Sequence, residues 1–381
     1  KNDYPPGIAR WSIKRNLQYA LELISEKKID LHKLKTKTFK FKDVKEAYQN
    51  LLNSNSISLI LEYDNIIDSS DEIVVGKINR NNRYSDNDFN VGVIGAGNYS
   101  TRYIIPQIKK NKLFKLESLS SSKGVSAAFF SKKFEFEKAT TNNSSIIKEK
   151  KIGTIFIASP HNLHADQVIE CLKMQKKVFV EKPLSINNHQ LTKIKNTCDD
   201  LIKSGNYPFF TVGYNRRFSP LIKILLDNIK EINEPCSINY NINSGYLDSN
   251  SWIQNKEIGG GRIIGEICHF IDLIKYITGS VVTNYDFKYI DTKDKIPDTI
   301  SIQFALKNNS IANINYFSNG NISFPKEIID VYCGGIIMQL NNFKSLKVFG
   351  KSKFKNKNLL IQNKGNKNCI DEFLSRIANN E

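Results

Sequence analysis

The sequence predicts an α/β fold in which a doubly wound parallel sheet is followed by an α+β domain with a large, open, mainly antiparallel sheet. Strand-like and helical segments alternate between residues 89 and 180, which is the order of elements in parallel β–α–β units. A glycine-rich turn at residues 95–100 follows the first of these strands. After about residue 220, longer segments alternate apolar with polar residues, which is typical of strands with one buried face.

The length and composition are those of a globular protein. At 381 residues the chain is long enough for roughly two or three domains, each with its own core. Hydrophobic residues make up 40% of the chain, and no apolar run approaches the ~20 residues that span a bilayer. Residues 1–7 lack the charged start and apolar core of a secretory signal. We therefore expect a cytoplasmic protein without a membrane span.

The net charge of +17 raises nucleic acid as a partner, because clustered Lys and Arg bind phosphates. The charge is dispersed, however: only nine of the 55 basic residues are Arg, and the lysines are interleaved with Asn and Ser rather than with aromatic residues. We therefore predict a solvated basic surface and no nucleic-acid partner.

The six cysteines stand singly along the chain. They include no Cys-x-x-Cys pair, and no His lies at metal-ligand spacing from them. This pattern predicts reduced, structural thiols and no metal site.

Composition and periodicity divide the chain into four segments: residues 1–63, 64–88, 89–215 and 216–381. The first contains two helices and two strands but lacks a complete core. The second is rich in Asn, Asp, Ser and Arg and is predicted to be a linker. The third is the parallel-sheet domain, and the fourth is the domain of the open sheet.

The predicted elements follow from hydrophobic period. In the first segment they are helices 13–27 and 44–52 and strands 36–40 and 56–62. In the third they are strands 89–94, 115–120, 154–158 and 178–180 and helices 99–112 and 163–174. In the fourth they are strands 237–243, 299–304, 311–317, 327–331, 335–340 and 345–349 and helices 267–277 and 370–378.

The turn at residues 95–100 has the features of a phosphate cradle. Gly95 permits a tight turn, Gly97 lets the backbone approach a pyrophosphate, and the small Ser100 allows close packing of helix on strand. The following helix directs its positive N-terminus at the phosphates. Within a β–α–β unit, this turn predicts a Rossmann domain that binds a nicotinamide dinucleotide.

The second strand leaves the choice between NAD and NADP open. It ends in Ser120 without the acidic residue that normally binds the ribose diol. The hydroxyls of Ser121 and Ser122 and the cation of Lys123 suit a 2′-phosphate, which slightly favours NADP. A polar loop that tolerates either cofactor is the alternative.

Two later turns lie where such sheets bind ligands. Ser159 and Pro160 end one parallel strand, and Glu181-Lys182-Pro183 ends the next. Because the carboxyl ends of parallel strands meet at one edge, we expect both turns to contact the cofactor. The predicted cofactor contacts are Gly95, Gly97, Asn98, Tyr99, Ser121, Lys123, Ser159, Pro160, His161, His164, Glu181 and Lys182.

Lys182 and His269 are the candidate catalytic groups. A Lys at the sheet edge can hold a substrate hydroxyl and stabilise the alkoxide that hydride loss creates. A His near its usual pKa of about 6.5 is a natural proton acceptor, and Asp272 shares a helix face with His269. The alternatives are a surface turn at Lys182 and a structural role for His269.

The segments 158–164, 178–183, 212–220 and 259–272 resemble, in this order and spacing, the glucose-fructose oxidoreductase and inositol dehydrogenase family (Gfo/Idh/MocA). The resemblance extends from about residue 89 to the C-terminus. It implies an NAD(P)-dependent oxidoreductase acting on a sugar, a nucleotide sugar or a cyclic polyol. It also implies a His at the position of His269 and substrate contacts after residue 212.

The sequence departs from that family next to the catalytic His. Gly265 stands where the family commonly carries an Asp, and Ile267 stands where it carries a Gly. Glu266 is the nearest replacement carboxylate. Either Glu266 takes over a polar substrate contact, or the proton relay is reduced to Lys182 and His269.

The predicted substrate residues are Tyr214, Asn215, Arg216, Arg217, Trp252 and Asp272. An Arg can pair with a carboxylate or phosphate on a sugar. The alternative is that one of the two arginines ties the domains together. A Trp can stack on a sugar ring or simply cover the sheet.

Residues 1–63 resemble the end of a zinc-type, medium-chain alcohol dehydrogenase. The likeness lies in residues 4–16, in the helix and turn at 20–30, and in residues 39–48, which end in an Asp-x-x-x-Ala-Tyr pattern. It implies a fusion of two dehydrogenase modules, as in bidomain oxidoreductases of surface-polysaccharide gene clusters. We assign no zinc and no catalysis to this segment, and we expect the chain to be a fragment that is incomplete at both ends.

The leading functional hypothesis is a sugar oxidoreductase in which Lys182 positions the hydroxyl and His269 moves the proton. The alternative is a cofactor-binding but catalytically silent module of a fusion protein, which Gly265 motivates. We expect the open sheet to pair between subunits as a homo-oligomer.

Overall fold

The computed structural model describes residues 10–30, 36–53, 58–63, 71–76, 87–291, 297–350 and 356–380. The chain forms two compact units, Lys1–Ser70 and Asp71–Glu381. No helix within the described ranges is both long and apolar enough to cross a membrane.

The first unit contains a small β–α–β arrangement. Helix α1 (Ile13–Ser25) is capped by Ser12, whose hydroxyl accepts a hydrogen bond from the amide of Arg15. Strand β1 (Thr36–Lys40) pairs in parallel with β2 (Ser58–Glu62), and α2 (Val44–Asn53) connects them. These bounds agree with the predicted elements to within two residues at each end.

The second unit begins with a seven-stranded sheet of order β3-β6-β5-β4-β7-β8-β9. All pairs are parallel except β3 with β6. The strands are β3 (Glu72–Val74), β4 (Asn90–Ile94), β5 (Lys115–Ser120), β6 (Lys138–Thr140), β7 (Thr154–Ile157), β8 (Lys177–Val180) and β9 (Phe210–Val212). The helices are α3 (Ile105–Lys110), α4 (Gly124–Phe134), α5 (Asn143–Lys148), α6 (His164–Lys173) and α7 (Asn188–Lys203).

This first sheet has the predicted doubly wound architecture. Every residue of β4 and β7 is buried, as expected of central parallel strands covered on both faces. One apolar core contains Val91, Ile104 and Phe156, and the other contains Ile94, Ile155 and Val168. The carboxyl ends of β4, β5, β7 and β8 therefore converge on one edge of a rigid sheet.

Two local expectations for this region need correction. The predicted linker at 64–88 contains β3, which pairs with β6 and forms the edge of the sheet, although its Ile73 and Val74 side chains are exposed. The predicted helix 99–112 begins as a π-helical turn, Ser100–Ile104, and becomes α-helical only from Ile105. Such π turns are frequent at functional sites.

The second sheet has eight strands in the order β11-β12-β13-β10-β14-β15-β16-β17. It is open and antiparallel except for the parallel pair β10–β13. The strands are β10 (Ser237–Asn243), β11 (Val282–Tyr289), β12 (Ile300–Leu306), β13 (Ile311–Phe317), β14 (Glu327–Cys333), β15 (Ile336–Asn341), β16 (Ser345–Phe349) and β17 (Lys357–Asn358). Helices α8 (Pro220–Ile232) and α9 (Cys268–Thr278) cover one face.

Alternation identifies the strands of this sheet where one face is buried. In β12 every second residue is buried, from Ile300 to Leu306, as the period of two predicts. β11 does not show this alternation because it is an edge strand with almost all of its residues exposed.

The C-terminal helix α10 (Asn366–Asn379) corrects the predicted domain boundary, which assigns it to the 216–381 domain. Its apolar stripe, which includes Ile370 and Phe373, packs into the core of the first sheet against Phe156 and Phe179. An apolar stripe requires an apolar partner, but its spacing does not specify which sheet supplies it.

Candidate active site

The glycine-rich turn has the geometry of a phosphate cradle. Gly95 has a positive φ of 105°, and a Cβ there would lie 2.4 Å from the carbonyl oxygen of Ala158, so the turn requires glycine. A Cβ at Gly97 would meet no described atom within 4 Å beyond its chain neighbours, so this backbone faces open space. A ligand can therefore approach the main chain closely at this point.

The turn opens into a cavity of about 560 Å³, within the range of about 300–1,000 Å³ that is usual for small-molecule sites. Six of the predicted cofactor residues lie in its wall: Gly95, Gly97, Ser121, Lys123, Ser159 and Pro160. Trp252, predicted on the substrate side, also lines this cavity. The carboxyl ends of three neighbouring strands, β4, β5 and β7, supply most of the wall.

Seven further residues of this wall are not among the predicted contacts: Ile94, Ala96, Ser122, Ser126, Asn143, Ala158 and Leu163. Asn143 follows β6 and holds the end of β5, because its side-chain oxygen accepts a hydrogen bond from Ser120 at 2.7 Å. The rule that parallel strands present ligand contacts at their carboxyl ends could have identified it. The preceding strand, β6, is only three residues long, which is too short to be recognised as a strand from the sequence pattern.

The two histidines of the 158–164 loop do not line the cavity. His164 is buried, and its ring lies between the carbonyl oxygens of Ser159 and Pro183, at 2.8 and 2.7 Å. It joins the turns that follow β7 and β8. His164 is therefore corrected from a cofactor contact to a residue that positions two such turns.

His161 is also buried, and burial lowers its pKa to about 4. Its Nδ1 lies 2.9 Å from the carbonyl oxygen of Gly259, and its ring meets the edge of Trp252 at 4.8 Å between centroids. The neutral ring therefore supports the segment that precedes α9 instead of contacting the cofactor cavity.

Glu181 lies behind the cradle. Burial raises the pKa of Glu181 to about 7. Tyr99 donates a hydrogen bond to the carboxyl group, whereas the Oε1 atom is buried without a hydrogen-bond partner among the described residues. Close packing of Gly213, where a Cβ would lie 2.7 Å from Oε1, leaves no room for a further group. The hydrogen bond between Tyr99 and Glu181 thus connects the glycine-rich turn to the Lys182 turn inside the protein. Both side chains are corrected from direct cofactor contacts to residues that support the two turns.

Lys182 is held by a backbone oxygen. Its ammonium donates a hydrogen bond of 2.9 Å to the carbonyl of Gly265, which lies in a second π-helical turn, Ile263–Ile267. A Cβ at Gly265 would lie 3.1 Å from Cε1 of His161. The His161 ring would therefore have to shift by a few tenths of an ångström to admit a side chain at this position, and the main chain of Gly265 is what binds the ammonium.

His269 is enclosed in the first turn of α9. Burial lowers the pKa of His269 well below its usual value, and Arg216, Lys182, Lys364 and Lys326 lower it further. Its Nδ1 has no hydrogen-bond partner within the described ranges, and the Tyr214 ring meets its edge at 5.9 Å. The imidazole is consequently neutral at physiological pH, which corrects the expectation of an unperturbed pKa.

Glu266 lies beside Lys182. Burial alone would raise its pKa, but Lys326, Lys182 and Arg262 together lower it. The carboxylate accepts a hydrogen bond from Ser244 at 3.3 Å. The arrangement therefore brings an ionised carboxylate, an ammonium and a neutral imidazole to one place.

Arg216 is corrected from a substrate contact to a structural residue. It is buried, and its guanidinium donates two hydrogen bonds of 2.7 and 2.8 Å to Glu327 at the start of β14. Tyr240 and Lys364 donate to the same carboxylate at 2.5 and 2.7 Å. The segment after β9 is thereby tied to the second sheet, which was the alternative raised for one of the arginines.

Arg217, Asp272 and Asn215 have partners of their own as well. The Arg217 guanidinium makes a two-point ion pair with Asp272. Asn215 donates to the carbonyl of Lys364 at 2.7 Å. Of the predicted substrate residues, Tyr214 and Trp252 have neutral side chains that form ring contacts, Tyr214 with His269 and Trp252 with His161.

Residues 89–204 match the GFO_IDH_MocA family model, which describes an oxidoreductase family with an NAD-binding Rossmann fold. Myo-inositol 2-dehydrogenase of Thermotoga maritima is 27% identical over 194 residues, which cover 50% of this chain and 55% of that protein. Levoglucosan dehydrogenase of Pseudarthrobacter phenanthrenivorans is 29% identical over 160 residues, which cover 40% of each. The chain spans about half the length of the curated relatives it matches.

Solved structures share the fold of both sheets. A levoglucosan dehydrogenase in complex with NADH and levoglucosan superposes with a TM-score of 0.68 at 19% identity, covering 76% of this chain and 90% of that one. A probable dehydrogenase from Thermotoga maritima superposes with a TM-score of 0.63 at 20% identity, covering 77% and 89%. A Rossmann sheet followed by a mainly antiparallel sheet is therefore the architecture common to these proteins.

Proposed function

We propose that this chain, whose residues 89–204 form an NAD-binding Rossmann domain of the Gfo/Idh/MocA type, is an NAD(P)-dependent dehydrogenase of a sugar or cyclic polyol. The observation that carries the proposal is the hydrogen bond between Lys182 and Gly265, because it joins the edge of the cofactor sheet to the segment that bears Glu266 and His269. Relatives that oxidise inositol and levoglucosan support this substrate class.

The cavity fits a dinucleotide. Its wall combines the open main chain at Gly97 with the strand-end turns at Ser121 and Ser159, and no described side chain fills the space next to Gly97. Bound NAD(P) would supply the hydride acceptor for alcohol oxidation. The residues of the chain then have to bind the alcohol, exclude water and accept its proton.

Lys182 and His269 are suited to these two tasks. The ammonium of Lys182 is oriented by the Gly265 carbonyl and keeps two N–H groups with which to hold a substrate hydroxyl and stabilise negative charge on its oxygen. The neutral imidazole of His269 can take the proton that the hydroxyl releases as its carbon is oxidised. Because Nδ1 is enclosed, we assign the accepting role to Nε2.

Glu266 is proposed to act on substrate binding rather than as the proton acceptor. Its carboxylate is kept ionised by three neighbouring cations, so its basicity is lower than that of an ordinary glutamate. It can accept a hydrogen bond from a second hydroxyl of the ring. The proposed site thus uses a neutral base, His269, beside a charged hydrogen-bond acceptor, Glu266.

The cavity is further proposed to take NADP at least as well as NAD. β5 ends in Ser120, and the described wall continues through Ser121, Ser122 and Lys123, without a carboxylate for the ribose diol. A 2′-phosphate would find hydroxyl donors and a cation there. This preference is independent of the reaction, because it concerns the far end of the cofactor from the reacting carbon.

The test is reduction of NAD⁺ and NADP⁺, in parallel, by a panel of sugars, inositols and nucleotide sugars. We expect formation of the reduced cofactor with at least one cyclic substrate and with NADP⁺ at a KM no higher than that for NAD⁺. Tight binding of both cofactors without reduction by any substrate would instead identify a catalytically silent module.

The fusion to a medium-chain dehydrogenase and the place in surface-polysaccharide synthesis stay predictions. Both rest on residues 1–63, whereas the family match begins at residue 89. The parallel pair β1–β2 with its connecting α2 is compatible with such a tail.

A further inference from the structure

The proposed active site carries more positive than negative charge. Among the described residues, six basic and four acidic side chains lie around His269 and Lys182, which leaves a surplus of two positive charges even when every carboxylate is ionised. The basic residues are Lys182, Arg216, Arg217, Arg262, Lys326 and Lys364. The acidic residues are Glu181, Glu266, Asp272 and Glu327.

The surplus is divided between two clusters, one around Glu327 and one around Glu266, because Glu181 lies next to Lys182 and offsets one positive charge of the second cluster. Arg217 and Asp272 neutralise each other, whereas Arg216 and Lys364 share Glu327 in a buried cluster. Glu266 faces Arg262, Lys326 and Lys182. One of the two excess positive charges is therefore next to the proposed reaction centre.

Lys326 is the member of this group that can turn to another ligand. Its side chain is 44% exposed, and its ammonium is 3.8 Å from Glu266, beyond hydrogen-bond distance. Arg262 lies closer to Glu266, at 3.6 Å, and its side chain is only 4% exposed. Since Arg262 already balances the carboxylate from within, Lys326 is not required for that purpose.

We infer that the substrate carries an anionic group, a carboxylate or a phosphate, and that the Lys326 ammonium binds it. The inference rests on the proposed function, because it specifies the ligand class of the same site. Cations held together in a partly buried site repel one another, and an anionic ligand relieves that repulsion while attracting all of them. A neutral sugar offers no such compensation.

The same anion would assist the proposed base. The cations around His269 make its protonation unfavourable, as does burial. A negative charge bound nearby favours the imidazolium and so makes the imidazole a better proton acceptor. Substrate charge and proton transfer are thereby coupled through the electrostatics of one site.

Equilibrium binding tests the inference separately from turnover. Titration calorimetry on the whole chain with saturating NADH or NADPH would compare glucose with glucuronate, UDP-glucose and UDP-glucuronate. We expect an anionic ligand to bind at least about tenfold more tightly than glucose. Glucuronate and UDP-glucose distinguish a ring carboxylate from a phosphate as the group that is bound.

Two variants assign the effect to Lys326. Lys326→Ala should weaken binding of the anionic ligand by about tenfold, whereas Lys347→Ala, which changes an exposed lysine on β16 of the same sheet, should leave it unchanged. Equal affinity for glucose and the anionic ligands, no binding of any of them, or no loss in Lys326→Ala would overturn the inference. If an anionic ligand binds but no substrate reduces NAD⁺ or NADP⁺ in the separate turnover assay, the proposed dehydrogenase activity is refuted and the anion site still stands.

Discussion

Glu327 and Glu266 are both surrounded by cations, but they differ in how tightly they are held. Glu327 is completely buried and accepts hydrogen bonds of 2.5 to 2.8 Å from Arg216, Tyr240 and Lys364. The Glu266 side chain is 20% exposed, and Arg262 and Lys326 lie 3.6 and 3.8 Å from it. The first carboxylate is saturated, whereas the second retains acceptor capacity.

The difference separates a structural ion cluster from the one that we propose to be functional. A buried carboxylate must have every oxygen satisfied, since an unpaired charge in the interior is costly. That requirement fixes Arg216 and Lys364 and makes them unable to bind ligand. Looser pairing at a partly open site costs less and leaves Glu266 and Lys326 available for substrate.

The largest expected effect is that of Glu327→Gln on stability. Removing this charge leaves the buried Arg216 and the partly buried Lys364 without their partner, so the free energy of unfolding should fall by about 3–5 kcal/mol. Denaturant unfolding measures the loss, with the exposed Glu257→Gln as the control. A loss as small as that of the control would contradict a structural role for the cluster.

The difference in stability between wild type and Glu327→Gln should depend on pH. The cations hold the pKa of Glu327 well below its usual range, so the ionised group stabilises the folded state at pH values above its unfolded pKa of about 4.3. The stability difference between the two proteins should therefore be full near neutrality. In denaturant unfolding across pH, it should narrow as the pH falls below about 4.3 towards the folded-state pKa. A difference that stays constant down to that range would contradict the charge as its cause.

A smaller effect on stability is expected from Glu266→Gln. Its ion pairs are long and partly solvated, so the free energy of unfolding should change by less than about 1 kcal/mol. Binding of an anionic ligand should strengthen instead, because Lys326 loses its competing carboxylate. Calorimetry with glucuronate or UDP-glucuronate measures that change, and weaker binding would show that the hydrogen bond proposed between Glu266 and a ring hydroxyl outweighs the competition of Glu266 for Lys326.

Features with a local signal could be predicted from the sequence. The central strand β4 and its turn follow from an apolar run and two glycines, and the strands of the second sheet follow from alternation. Lys182 and His269 are identified by the strand end and the motif that carry them. The structure brings both to the same site, through Gly265.

Features that depend on tertiary packing could not be predicted. Neither the pairing of Arg216 with Glu327 nor the packing of His161 against Gly265 has a signature in the intervening sequence, because the partners lie about one hundred residues apart. Lys326 stands before β14 without a motif of any kind. The sequence therefore indicates which residues carry chemistry, but not which of them are already neutralised.

The central claim is that Lys182 holds the hydroxyl and His269 accepts its proton during oxidation of a cyclic alcohol. The most direct measurement is the single-turnover rate of cofactor reduction by wild type, Lys182→Ala and His269→Ala, with cofactor affinity and thermal unfolding measured on the same samples. We expect each variant to lose about 100-fold or more in rate while it still folds and binds NAD(P). Unchanged rates in folded, cofactor-binding variants would contradict the account.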